Sequence, residues 1–68
     1  MKRLKEIRLA TNVAAKDAAQ AVGVLYRTYQ KYETGEIDPP LSKAIALADF
    51  YNVSLDYLVG RSDVPERR

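Results

Sequence analysis

The chain has 68 residues, with 11 Lys and Arg against 9 Asp and Glu, a formal charge of +2, a pI near 9.0, and neither cysteine nor histidine. That length fits one small domain around a modest core. The missing thiols and imidazoles exclude disulfides, thiolate chemistry, the common zinc sites and the usual general acid–base residue, so no enzyme, metal or cofactor is expected.

Residues 2 to 10 read as a first helix, with Leu4, Ile7 and Arg8 recurring at i, i+3 and i+4. Lys2, Arg3, Lys5 and Arg8 crowd it with positive charge. Glu6 and Arg8 interrupt "MKRLKEIRLA" where a signal peptide needs an apolar stretch, and no apolar run approaches a membrane span. A reduced, cytoplasmic setting is expected. Asn12 suits the left-handed stop of this helix. Residues 14 to 22, "AAKDAAQAV", form a second helix whose small side chains admit a close neighbour. Gly23 breaks it with a tight turn.

Residues 25 to 33 make a third helix. At about 100° per residue, Leu25, Thr28, Tyr29 and Tyr32 gather on one side, and Tyr26, Arg27, Gln30 and Lys31 on the other. A helix that only fills a core has no use for the second face. Thr34-Gly35 ends it, and "EIDPP" is a loop. Residues 41 to 51, "LSKAIALADFY", form a fourth helix whose buried stripe is read as Leu41, Ala44, Ile45, Ala48 and Tyr51. Pro40 suits its start and Asn52 its end. Ser54 is an N-cap for a short last helix, "LDYLV", stopped by Gly60. Residues 1–60 are therefore read as one domain. Residues 61–68, "RSDVPERR", are read as a polar basic tail expected to be disordered.

Five short helices with tight connections describe a compact all-α domain. Two of them joined by a single glycine turn, residues 14–22 and 25–33, form a helix-turn-helix pattern. In that arrangement the second helix enters the DNA major groove and its N-terminal residues meet base edges.

The chain resembles the lambda-repressor-like, Cro/C1-type (XRE) helix-turn-helix domains of phage repressors and bacterial regulators. The resemblance rests on "LKEIR", on Ala19 and Gly23-Val24, on "YETG" and Pro39, and on "ALADFYNVSLDYLVG". It covers about residues 4 to 60 and implies a five-helix fold that binds double-stranded DNA. Such a small domain reads only a short half-site, so a homodimer on a near-palindromic operator is expected. By position it implies that Tyr26, Arg27, Gln30 and Lys31 read bases. The chemistry agrees. Arginine or lysine donates to guanine O6 and N7, glutamine pairs with adenine, and tyrosine packs on a thymine methyl or bonds a phosphate. The resemblance also implies phosphate contacts from Lys43 and Thr28, and an ion pair between Arg8 and Glu33.

Three positions depart from the family pattern. Ala14 and Ala15 stand where Ser or Thr and then a phosphate-binding Gln are usual, with Lys16 as a partial substitute. Leu25 stands where a Ser or Thr cap is usual. Glu36-Ile37-Asp38 puts acid where the loop is usually basic or polar. Each lost phosphate contact weakens binding and flattens its salt dependence.

The leading expectation is a sequence-specific transcriptional regulator, Cro- or repressor-like, of bacterial or phage origin. Its dimer surface is expected on the last helix, among Leu55, Tyr57, Leu58 and Val59. The alternative is a protein-interaction module, such as an antitoxin or adaptor, with weakened DNA binding. The plainest readings make Tyr29 and Tyr32 core, and Lys2, Arg3 and Lys5 a solvated face that steers DNA.

Overall fold

A computed structural model describes Met1 and residues 3–60. The expected tail at 61–68, with Arg61, Arg67 and Arg68, lies outside the described residues, as does Lys2. Five helices follow in order: α1 (Leu4–Ala10), α2 (Ala15–Val22), α3 (Tyr26–Thr34), α4 (Leu41–Tyr51) and α5 (Leu55–Leu58). There is no strand among the described residues.

Short helices need strong stops, and three of these share one device. Asn12, Gly23 and Asn52 take positive φ of 58°, 74° and 55°. In each case the amide of that residue and the next bond back into the helix. Gly23 donates to Gln20 O and Val24 to Ala19 O, Asn12 to Leu9 O and Val13 to Arg8 O, Asn52 to Asp49 O and Val53 to Ala48 O. This is the Schellman closure, which satisfies orphan carbonyls and seats an apolar residue just beyond the turn. Valine follows the left-handed residue every time, and Val13, Val24 and Val53 all pack on the core. Lys43 of α4 adds a further bond at the second of these stops, its ammonium donating to Val22 O at 3.0 Å.

The core is built from Leu4 and Ile7 of α1, Ala18, Ala19 and Val22 of α2, Tyr29 and Tyr32 of α3, Leu47, Ala48 and Tyr51 of α4, then Val53 and Leu58. Helix α2 packs on α3 and α4, α1 on α3, and α4 on α5. Alanines at 18 and 19 keep α2 thin where its neighbours approach. Ser54 caps α5 by accepting from Tyr57 N at 3.0 Å. Ala14, Leu25 and Pro40, at the starts of α2, α3 and α4, make no side-chain cap bond.

Two expectations about packing are corrected. On α4 the buried residues are Ala44, Leu47, Ala48 and Tyr51, while Leu41 and Ile45 stand 66% and 45% exposed. Apolar residues occur on both sides of "LSKAIALADFY", so periodicity alone does not select a face. The packing of α2 and α5 selects the side that carries Leu47. On α3, Leu25 does not join Tyr29 and Tyr32 in the core but is 76% exposed. It precedes the first helical turn, so the wheel that places later residues does not bind it. Smaller shifts affect boundaries: α1 starts at Leu4 rather than residue 2, and α2 and α3 each start one residue late.

Candidate nucleic-acid interface

Helix α3 is anchored from one side and open on the other. Tyr29 is wholly buried and Tyr32 nearly so. The hydroxyls of Tyr29 and Tyr51 share a hydrogen bond at 2.9 Å, tying α3 to α4 inside the core. Burial, and then that bond, hold the Tyr29 hydroxyl well above the ordinary tyrosine value of 10.0. Burial also raises Tyr51. Both therefore stay neutral and keep the bond at ordinary pH.

Glu33 ties the same helix to α1. Arg8 Nε donates to Glu33 Oε2 at 2.6 Å and Nη2 to Oε1 at 3.3 Å, a forked pair. Its third donor, Nη1, reaches Val13 O at 3.1 Å. The pair is largely removed from water, and the bond to Glu33 raises the Arg8 pKa further. No buried side-chain polar atom among the described residues lacks a partner. Helix α3 is thus fixed in rotation before any ligand arrives.

The opposite face carries Tyr26, Arg27 and Gln30, all exposed. Lys31 is half-buried on the flank of this face, as is Thr28 on the other side. Lys16 is exposed in the first turn of α2. Lys43 differs from expectation in having a structural task, since its ammonium already holds the Val22 carbonyl. It would meet a phosphate only with its remaining protons. The Glu36–Asp38 loop is exposed and acidic.

A groove of about 370 Å³ opens beside this face, lined by Lys5, Ala15, Tyr26, Gln30, Thr34 and the Arg8–Glu33 pair. Lys5, expected among the general steering charges, is one of the residues lining it. Its spacing of three from Arg8 was the available signal, because i and i+3 share a helix face. The small side chain of Ala15 leaves room in this groove where the family usually has a glutamine.

The expected dimer residues divide. Leu58 is wholly buried and belongs to the core. Tyr57 lies under the Arg3 guanidinium, 4.5 Å from its ring centre. Leu55 is half-buried and Val59 is exposed. Leu41, Ala44, Leu55 and Val59 line another groove, of about 480 Å³, with Pro39 and Asp38. Leu41 joins this groove and not the buried stripe to which its spacing on α4 assigns it.

Among the described residues, no group of acidic side chains could hold a metal ion, and no helix is long and apolar enough to cross a membrane.

Two helices at a glycine turn, the second locked from behind and polar in front, define a helix-turn-helix domain. The chain belongs to the HTH_3 family, described as Helix-turn-helix, whose model matches residues 4–58. It is similar to the uncharacterized HTH-type transcriptional regulator YobD of Bacillus subtilis (strain 168), 36% identical over 64 residues, 94% of this chain and 57% of that protein. It is similar to the HTH-type transcriptional regulator ImmR of the same organism, 35% identical over 66 residues, 97% of this chain and 52% of ImmR. It is also 36% identical over 59 residues to the cryptic phage CTXphi transcriptional repressor RstR of Vibrio cholerae serotype O1 (strain ATCC 39315 / El Tor Inaba N16961), covering 87% of this chain and 53% of RstR. The chain spans about half the length of the curated relatives it matches. All three relatives carry names of regulators or repressors, and none is named as an enzyme.

Proposed function

We propose that this domain is the DNA-reading part of a transcriptional regulator, with α3 in the major groove. The observation that carries the reading is the division of α3: Tyr29 and Tyr32 buried, Tyr26, Arg27 and Gln30 exposed on the other side. Arg27 is the guanine reader, donating to O6 and N7, and Gln30 the adenine reader. Lys31 and Tyr26 flank them along the groove. Lys16 and Thr28 bind backbone phosphate, and Lys43 adds a weaker contact. These phosphate contacts place the helix, and base contacts select the sequence.

A single such module reads a short half-site, so useful selectivity calls for two copies on inverted half-sites. The homodimer surface in this reading is the apolar strip of Leu41, Leu55 and Val59, which line one groove. Its two exposed members stand 66% and 37% exposed at 41 and 59. Grouped apolar exposure of this kind marks an interaction surface.

The test is an amide NMR titration with duplex DNA at about 50 mM salt, where phosphate contacts are strong. Signals of residues 25 to 31 are expected to shift first. If they stay in place while the protein remains folded, the DNA reading fails and a protein partner takes its place.

A further inference from the structure

We propose that Leu25 is a specificity residue that reads the C5-methyl group of thymine in the major groove, an inference that rests on the DNA-binding reading above. Leu25 is the most exposed large apolar side chain among the described residues, at 76%. It does no visible structural work. It is not in the core, and it makes no cap bond at the start of α3.

Its backbone is nonetheless held firmly. Leu25 is extended, with φ −66° and ψ 147°, and its carbonyl accepts the first bond of the helix from Tyr29 N at 2.9 Å. A Ser or Thr in this conformation would cap the helix. Leucine forgoes that bond and places a branched apolar group at the leading tip.

Recognition helices present their N-terminal end to base edges. Leu25, the residue just before the first turn, sits beside Tyr26 and Arg27 at that leading end of α3. The apolar feature of an unmodified base edge in the major groove is the thymine methyl. Contact with it removes both groups from water. A cytosine at the same place carries hydrogen at C5 and offers leucine no methyl to cover. Leu25 thus favours thymine over cytosine at one position of each half-site. Among the other exposed large apolar residues, Tyr26 at 49% shares the tip of α3, and loss of methyl reading in Leu25 variants that keep Tyr26 separates the two; the rest lie on α1, α4, the 36–38 loop or beyond α5.

The experiment uses a duplex enriched from random sequence by the wild-type protein. Each thymine is replaced singly by deoxyuridine, which deletes only the methyl, and each cytosine singly by 5-methylcytosine, which adds one. Binding is measured for wild type, Leu25→Ala and Leu25→Ser. One thymine per half-site is expected to be methyl-sensitive in the wild type, by about fourfold, the effect of one methyl removed from water. Both variants are expected to lose that sensitivity. Leu25→Ser is also expected to fold at least as stably as wild type, because it restores a cap, so a loss of methyl reading there is not a loss of fold. Sensitivity that persists in both variants, or no sensitive thymine in the wild type, overturns the assignment to Leu25. A gain confined to 5-methylcytosine overturns thymine as the source. Failure to enrich any motif is a different result, which strikes the DNA reading itself.

Discussion

Replacing Arg8 by methionine tests the device that sets the angle of α3. The substitution removes the forked contact to Glu33 and the bond to Val13 O. It leaves the Glu33 carboxylate with 9% of its side chain exposed and no cation. Breaking a fully buried pair costs about 3–5 kcal/mol, because one charge is stranded. Both partners here keep some water contact, at 14% and 9% exposure, so we expect roughly 2–3 kcal/mol. For a domain of this size that lowers Tm by roughly 10–20 °C. The double variant Arg8→Met/Glu33→Leu strands no charge and should recover most of the loss. Urea and thermal unfolding, followed by circular dichroism, give both values. A cost below about 1 kcal/mol for Arg8→Met, the range of exposed pairs, would mean that this pair does not lock α3 to α1. So would a double variant no more stable than the single one.

Further outcomes follow from other parts of the fold. Ala14 has a cap conformation, φ −73° and ψ 141°, but no cap side chain, so Ala14→Ser should stabilise by about 1 kcal/mol in the same unfolding assay. Tyr29 and Tyr51 titrate above the ordinary 10.0 in the folded state, so their contribution is complete below pH 10. Above it the unfolded chain loses protons that the folded chain keeps. Stability should then fall by up to about 1.4 kcal/mol per pH unit for each tyrosine, less in Tyr51→Phe, as unfolding between pH 9 and 11 will show. Ala15→Gln should add a phosphate contact and tighten DNA binding, while the log K against log salt slope stays unchanged because the added side chain is neutral. Leu41→Asp, on an exposed position of that groove, should leave the monomer folded and abolish dimerisation in sedimentation equilibrium; an unchanged dimer would rule out the apolar strip as the dimer surface.

Much of this fold is legible because each short helix carries its own stop. Asn12, Gly23 and Asn52 announce left-handed closures, and Ser54 announces a cap. These are local rules that need no tertiary context. The polar face of α3 is legible for the same reason, since Tyr29 and Tyr32 can be buried together only by turning Tyr26, Arg27 and Gln30 outward. The face of α4 is not legible. Leu41, Ile45 and Leu47 are equally apolar, and only the neighbours decide which is covered. Leu25 escaped because it stands one residue before the helical period begins. Leu58 and Tyr57 escaped because a four-residue helix has too few positions to show a period. The second duty of Lys43 depends on α4 meeting the turn at Gly23, a long-range fact with no local mark.

Whether the outward face of α3 reads sequence is decided by selection from a pool of random duplexes, with the retained molecules sequenced. An enriched motif with inverted half-sites about one helical turn apart is expected. Arg27→Ala and Gln30→Ala are each expected to change the preferred base at one position while leaving the rest of the motif intact. Retention without any motif, or a motif identical in all three proteins, would contradict sequence reading by α3.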